Sequence, residues 1–210
     1  MAIENGYTDL VTVKARLDVG DTDDDAALEG LVETASRALD DALNRRFYIP
    51  AIAEVRVYSP IGWDLVKVND LVDISSNLTS VKVDTTGDGN FETILTTSDY
   101  DPEPRNADMD LKPFTKLRIA KDSSRHFPTG RMTVELTAKF GWAISGNPPK
   151  QITEACLMIC ARLWKRRDAV FGVAGTTQMG TLQVLTAKIV KDPDIWFLIS
   201  RFYKGDLLAV

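Results

Sequence analysis

The sequence predicts an α+β chain, a bundle of four helices with a β-rich insertion between the second and third. Three observations lead there. Apolar residues return three and four apart before Pro50, after Pro149 and after Asp192, which is the period of a helix with one buried face. Between Ala51 and Gly146 the period changes to two, with Gly- and Pro-bearing turns between short β-branched runs. Pro148 and Pro149 then close the β region, because proline cannot continue a strand ladder but suits the first helical turn. The expected organisation is a helical core from residues 1–50 and 147–210 around an insertion of residues 51–146.

In chain order, Thr8 can cap a short helix through DLVTVKARL, with Leu10, Val13 and Leu17 on one face. The acidic run GDTDDD at 20–25 has the composition of a cation loop, but acidic residues around Asp23 also cap a helix and meet its positive dipole end, which is the reading adopted. A long helix follows to Phe47, with Leu28, Leu31, Val32, Ala35, Ala38, Leu39, Ala42 and Leu43 on its inner stripe. On its outer face Glu33, Arg37, Asp41 and Arg45 alternate in sign four apart, which supports a helix by on the order of 0.3 kcal/mol per pair.

Strands are expected at 52–58, 78–84, 91–96, 116–120 and 131–140. Val55 and Val57 alternate with polar neighbours in the first, and Met132, Val134, Leu136, Ala138 and Phe140 alternate in the last. The polar, proline-bearing YDPEPRNADMDLKP reads as a surface loop. Asp84, Asp88 and Gly89 resemble the start of a calcium loop, but the twelfth position is Leu95 rather than glutamate and the flanks are strands, so an Asp-Gly hairpin tip at 87–90 accounts for them.

The helix of Pro148 to Gly172 is the hub. Ile152, Ala155, Cys156, Leu157, Ile159, Cys160, Ala161, Leu163 and Trp164 cover more than half of its circumference at about 100° per residue. An apolar arc this wide packs on two sides at once, either within one core or against a second chain. Arg162, Lys165, Arg166 and Arg167 form a basic patch near its end. That patch can face a partner or DNA, or it can complement the negative end of the helix dipole. The glycines of GVAGTTQMG lack the spacing of a phosphate loop and read as a flexible linker, followed by an extended run from Thr181 to Val190. Asp192-Pro193-Asp194 then starts a last helix whose buried face is Ile195, Leu198, Ile199 and Phe202. Trp196, Phe197 and Tyr203 spread around the rest, and Leu207, Leu208, Ala209 and Val210 make an apolar end. These are either docking residues for a partner or packed back on the insertion.

Composition bounds the chemistry. Of 210 residues, 44% are hydrophobic and 26% charged, an ordinary globular balance with no apolar run long enough to cross a bilayer, and the opening MAIENGYTDL lacks the regions of a signal peptide. The expectation is a protein that stays where it is made and meets no membrane. Cys156 and Cys160, one helical turn apart, read as reduced core residues, and with His126 as the single histidine no four-ligand zinc set exists. No G-x-S-x-G, H-E-x-x-H or P-loop is present, so no catalytic, cofactor or metal residue is assigned and the protein is expected not to be an enzyme. A net charge of −5 opposes a role in gripping phosphates.

Three stretches together resemble the head-to-tail connector (adaptor) family of long-tailed bacteriophages. They are the entry YTDLVTVKARLDVGDTDDDAALEGLVETASRALDDALNRRF, FGW with NPPKQITEACLMICARLWKRRDAVFG, and the terminal DPDIWFLISRFYK. The resemblance implies a virion protein of the neck, assembled in the host cytoplasm, that forms a ring beneath the portal, a dodecamer in the virion and a monomer alone. It implies the portal and the next connector (stopper) or tail protein as partners, with DNA passing through the lumen without sequence-specific binding. It also implies that the helical core builds the ring and the carboxyl-terminal segment docks on the portal. The alternative function is a ligand- or carbohydrate-binding module on the insertion, which would need clustered aromatics, whereas Tyr58, Trp63 and Phe91 are scattered.

Overall fold

Residues 3–72, 78–142, 147–167, 173–177, 180–183 and 192–204 are described by the structure, a computed structural model. Among these residues it is an α+β fold of four helices and two antiparallel sheets, with one further two-stranded hairpin. The chain divides into a helical unit, residues 1–45 with 148–210, and a β unit, residues 46–147.

In the helical unit, α1 (Leu10–Leu17) begins at Asp9, whose carboxylate accepts the Thr12 N–H at 2.7 Å. The cap is therefore one residue later than Thr8, because an ionised carboxylate is the stronger acceptor for a helix-end amide. Only Val13 of the predicted face is fully buried. The next helix, α2 (Asp25–Leu43), buries Leu28, Val32, Ala35, Ser36, Leu39 and Leu43. Its acidic entry does not cap it through a side chain. Asp24 pairs instead with Arg167 at 2.9 Å and Asp25 with Lys14 at 2.6 Å, so this acidic run serves as a counter-charge for two other helices.

The hub is α3 (Lys150–Arg167), which buries Ile152, Ala155, Cys156, Leu157, Ile159 and Cys160, while Leu163 and Trp164 are only half-buried. Its first turns thus carry the packing and its last turns emerge. Small residues let it approach α2 closely: Ser36 Oγ lies 3.6 Å from Cys156 Sγ, and Cys160 Sγ donates to the Leu31 carbonyl at 3.7 Å. After α3, the stretch read as a linker contains a hairpin of β8 (Val173–Thr177) and β9 (Gly180–Gln183), paired antiparallel with Thr176 opposite Thr181. Residues 184–190 of the predicted extended run lie outside the described residues. The last helix, α4 (Pro193–Ile199), continues as a 3₁₀ turn, Ser200–Phe202, and Ile195, Ile199 and Phe202 are its buried face, with Leu198 half-buried.

The β unit contains β1 (Glu54–Tyr58), β2 (Leu65–Leu71), β3 (Leu78–Val83), β4 (Thr93–Leu95), β5 (Tyr100–Glu103), β6 (Phe114–Ile119) and β7 (Val134–Ala138). One sheet has the order β1-β7-β3-β4 and the other β2-β6-β5. Inward residues of both, among them Val66, Val81, Leu95, Leu117, Leu136 and Phe140, share one apolar cluster. Three corrections arise here. The sequence missed β2 and placed β5 in a loop, because LVKVNDL and YDPE carry polar and proline residues that outvote their buried Val66, Val68 and Tyr100. The face of β1 is inverted: Val55 is 60% exposed, while Tyr58 packs on the core and Arg56 lies 4.0 Å above the Phe140 ring. Met132 is exposed, because its φ of +56° takes the backbone out of strand geometry before β7 begins.

The ends of the β unit are stitched to each other. Trp142 N–H donates to the Arg46 carbonyl at 2.7 Å, Gly141 N–H to Asp70 at 2.8 Å, and the Phe47 and Trp142 rings stack at 6.2 Å. Gly141 has to be glycine, since a Cβ there would lie 2.1 Å from the Tyr48 carbonyl oxygen. Gly141→Ala is expected to destabilise the protein by about 2 kcal/mol or more, as backbone-limited overpacking does. Urea denaturation checks this, and an unchanged midpoint contradicts it.

Candidate docking surfaces

The sequence marked two groups of surface residues, the basic end of α3 and the aromatic end of the chain. The structure ties the first to the second. Arg162 forms an ion pair with Asp192, the cap of α4, and approaches Asp194 at 3.6 Å. Asp192 also accepts the Asp194 and Ile195 N–H groups at 3.1 and 3.2 Å. One carboxylate therefore starts α4 and fixes it to α3. At the other end of the segment, Lys204 N–H donates to the Leu43 carbonyl, the last residue of α2, at 3.1 Å. The Asp-Pro-Asp signal was legible as a helix start, but its pairing with Arg162 was not, because nothing local in the sequence indicates it.

Arg167 is likewise engaged, with Asp24 and with the Trp164 ring, 3.8 Å beneath its guanidinium. Arg166 is half-buried and Lys165 exposed. Two of the four basic residues, Arg162 and Arg167, thus hold the helical unit together. Of the aromatic group, Trp196 is half-buried and meets Tyr203 edge to face at 5.9 Å. Tyr203 is 48% exposed and Phe197 83% exposed. An aromatic side chain left that open, on a helix whose opposite face is fully buried, is the feature of an interaction surface. Leu207, Leu208 and Val210 lie outside the described residues.

The other candidate chemistry is accounted for by structure. Asp84, Asp88 and Glu92 bring carboxylate oxygens within 4.8 Å of one another. However, Asp84 already accepts the N–H groups of Thr86, Gly87 and Gly89, at 3.1, 2.6 and 2.8 Å, and so shapes the β3–β4 turn. The Cys160 thiol is pushed well up by its hydrogen bond to the free Cys156 thiol and by burial, so it stays protonated. A cleft of about 530 Å³ on the β2-β6-β5 sheet is lined by charged residues, including Asp101, Glu103, Lys116 and Arg118, with no aromatic ring for a sugar to stack on. Arg118 within it is paired with Glu103 and Asp64.

A further ionic cluster lies at the start of the β unit. Arg46 grips Glu54 with two parallel bonds of 2.7 and 2.8 Å, and Arg56 adds two more, from Nε at 3.0 Å and from Nη2 at 2.5 Å. The Arg46 bonds, reinforced by Arg56, bring the Glu54 carboxyl down from 4.5 to about 2, against the opposing effect of burial. Because the folded-state value is the lower one, this stabilisation is present above pH 4.5 and is lost as the pH falls toward 2. Wild type is expected to lose stability more steeply than Glu54→Gln across that window, the gap between them closing at its acid end. Parallel acid-denaturation curves contradict the assignment.

Residues 7–84, covering α1 through β3, match the family model described as phage gp6-like head-tail connector protein. That match bears out the resemblance drawn from the helices. Two solved structures share the fold along the whole chain. One is described as the neck of an empty GTA particle computed with C6 symmetry; it is 17% identical, with a TM-score of 0.56, over 100% of this chain and 96% of that one. The other is described as the virion of a native gene transfer agent (GTA) particle, 17% identical, with a TM-score of 0.53 and the same coverage. No curated protein matches.

Proposed function

We propose that this chain is a structural head-tail connector of a phage-type virion. It forms a ring beneath the portal at the head-tail junction, passes DNA through its lumen and joins the head to the next connector or the tail. The observation that carries this reading is the connector-family match over residues 7–84, to which the whole-chain likeness in fold adds weight. A net charge of −5 suits a lumen that DNA traverses without adhering. The protein acts by assembly rather than by catalysis.

In this reading the helical unit builds the ring, and the aromatic end of the chain docks on the portal. Phe197 and Tyr203, with Trp196 behind them and Leu207, Leu208 and Val210 beyond, are the docking residues, while Lys165 and the half-buried Arg166 face a partner or the passing DNA. The test separates docking from folding. Phe197→Asp, alone or with deletion of residues 205–210, is expected to leave the melting temperature within a few degrees of wild type, since Phe197 is 83% exposed. The same changes should abolish incorporation of the protein into particles, leaving filled heads without tails. Normal incorporation of the variants contradicts the docking assignment, and particles that join heads to tails without this protein contradict the function.

A further inference from the structure

Where β1 stops and β7 starts, the β unit ends in two loops that hydrogen bonds hold side by side. The Met132 N–H donates to Ser59 Oγ at 2.9 Å, and the Phe127 N–H donates to the Trp63 carbonyl at 2.7 Å. Left-handed backbone at Gly62 and Met132, with φ of +80° and +56°, shapes the two loops. Three large apolar side chains, Ile61, Trp63 and Met132, are left exposed there, Trp63 by 63%. Residues 121–132 add three lysines and arginines against one aspartate, and Arg125 and Arg131 are exposed. In a chain of net charge −5 this is a local excess of positive charge around an apolar tip. Tryptophan, methionine and arginine are the side chains that protein interfaces favour, and isoleucine beside them suits a protein surface better than phosphates.

The same chain carries the complement. Val11, 77% exposed, and Ala15 lie one turn apart on α1, and Asp18 continues that face at the helix end. Asp21 and Asp23 follow in the α1–α2 connection, both exposed, whereas Asp24 and Asp25 of the same run are taken by Arg167 and Lys14. This corner is therefore apolar and acidic where the tip is apolar and basic. We propose that the tip of the β unit docks on the α1–α2 corner of a second copy of this chain. Trp63 and its apolar neighbours then cover Val11 and Ala15, and Arg125 and Arg131 meet the three exposed aspartates. Burial of the apolar groups supplies the affinity, while the charges fix partner and register. Because tip and corner are different patches, the contact passes from subunit to subunit and generates a ring when the rotation between copies closes. The inference rests on the connector reading and names the surfaces through which neighbours in the ring meet.

Charge reversal tests it in the full-length protein, with mass photometry of each variant mixed with portal rings counting the copies bound per portal. Arg125→Glu with Arg131→Glu reverses the tip, and Asp21→Lys with Asp23→Lys reverses the corner. Either pair alone sets like charges against each other across the contact. Each is expected to raise the protein concentration that fills a portal by on the order of tenfold or more, and the four changes together to restore filling. All four side chains are exposed, so the melting temperature should stay within a few degrees of wild type. Filling unchanged by either pair overturns the docking assignment and leaves the connector reading intact. A loss that the quadruple variant does not recover overturns the second copy as occupant and gives the tip to another acidic partner, protein or DNA. Failure of wild type to bind portal rings overturns both readings.

Discussion

The seam between α2 and α3 is the constraint on which the helical unit depends. It is made of small residues, Ala35 and Ser36 against Ala155, Cys156 and Cys160, all fully buried. Ser36 sits at its centre: its hydroxyl donates to the Val32 carbonyl at 2.7 Å, accepts the Tyr7 N–H at 3.0 Å and touches Cys156. A buried hydroxyl with every bond made fixes one helix register where an apolar contact alone would allow several. The amino-terminal segment is drawn onto the same seam, with the Tyr7 hydroxyl donating to Asp40 and Arg37 lying over the Tyr7 ring. The cysteines are there for their size, and the protonated state of Cys160 fits that role.

Because the first turns of α3 are committed to the seam, its last turns are left to carry charge. They hold α4 through Arg162 and the α1–α2 connection through Arg167. The basic cluster that looked like a partner surface is thus half structural. What remains exposed at the aromatic end is more specific: Phe197 and Tyr203 on the outside of α4. A structural protein of this kind needs no pocket, only faces that stay soluble alone and become buried in an assembly.

Much of the helical architecture was legible in the sequence because every described helix shows a 3.6-residue period, and α1, α3 and α4 also have a capping aspartate or a proline at the start. The inner stripe of α2 and the inner face of α4 follow directly from Leu28 to Leu43 and from Ile195 to Phe202. What was not legible depended on distant partners. Asp24 looks like a cap until Arg167 is placed beside it, and Val55 looks buried until Arg56 is found over Phe140 with Glu54 held by Arg46. In β2 and β5 the strand signal is weak because a residue facing outward on a short strand is free to be lysine, aspartate or proline. The aromatic residues proposed for docking were legible as apolar positions left over after the helix stripe was filled, and only the exposure of Phe197 and the half-burial of Trp196 separated them.

Amide hydrogen exchange on the isolated full-length chain tests the central claim most directly, because exchange protection ranks local stability without altering a residue. If the α2–α3 seam organises the helical unit, its slowest amides lie between Leu28 and Leu43 and between Ile152 and Cys160, with α4 exchanging faster and the β8–β9 hairpin fastest of all. Protection in α4 or the hairpin equal to that of the seam would contradict the account, since it would make those segments as much the organising core of the helical unit as the seam itself.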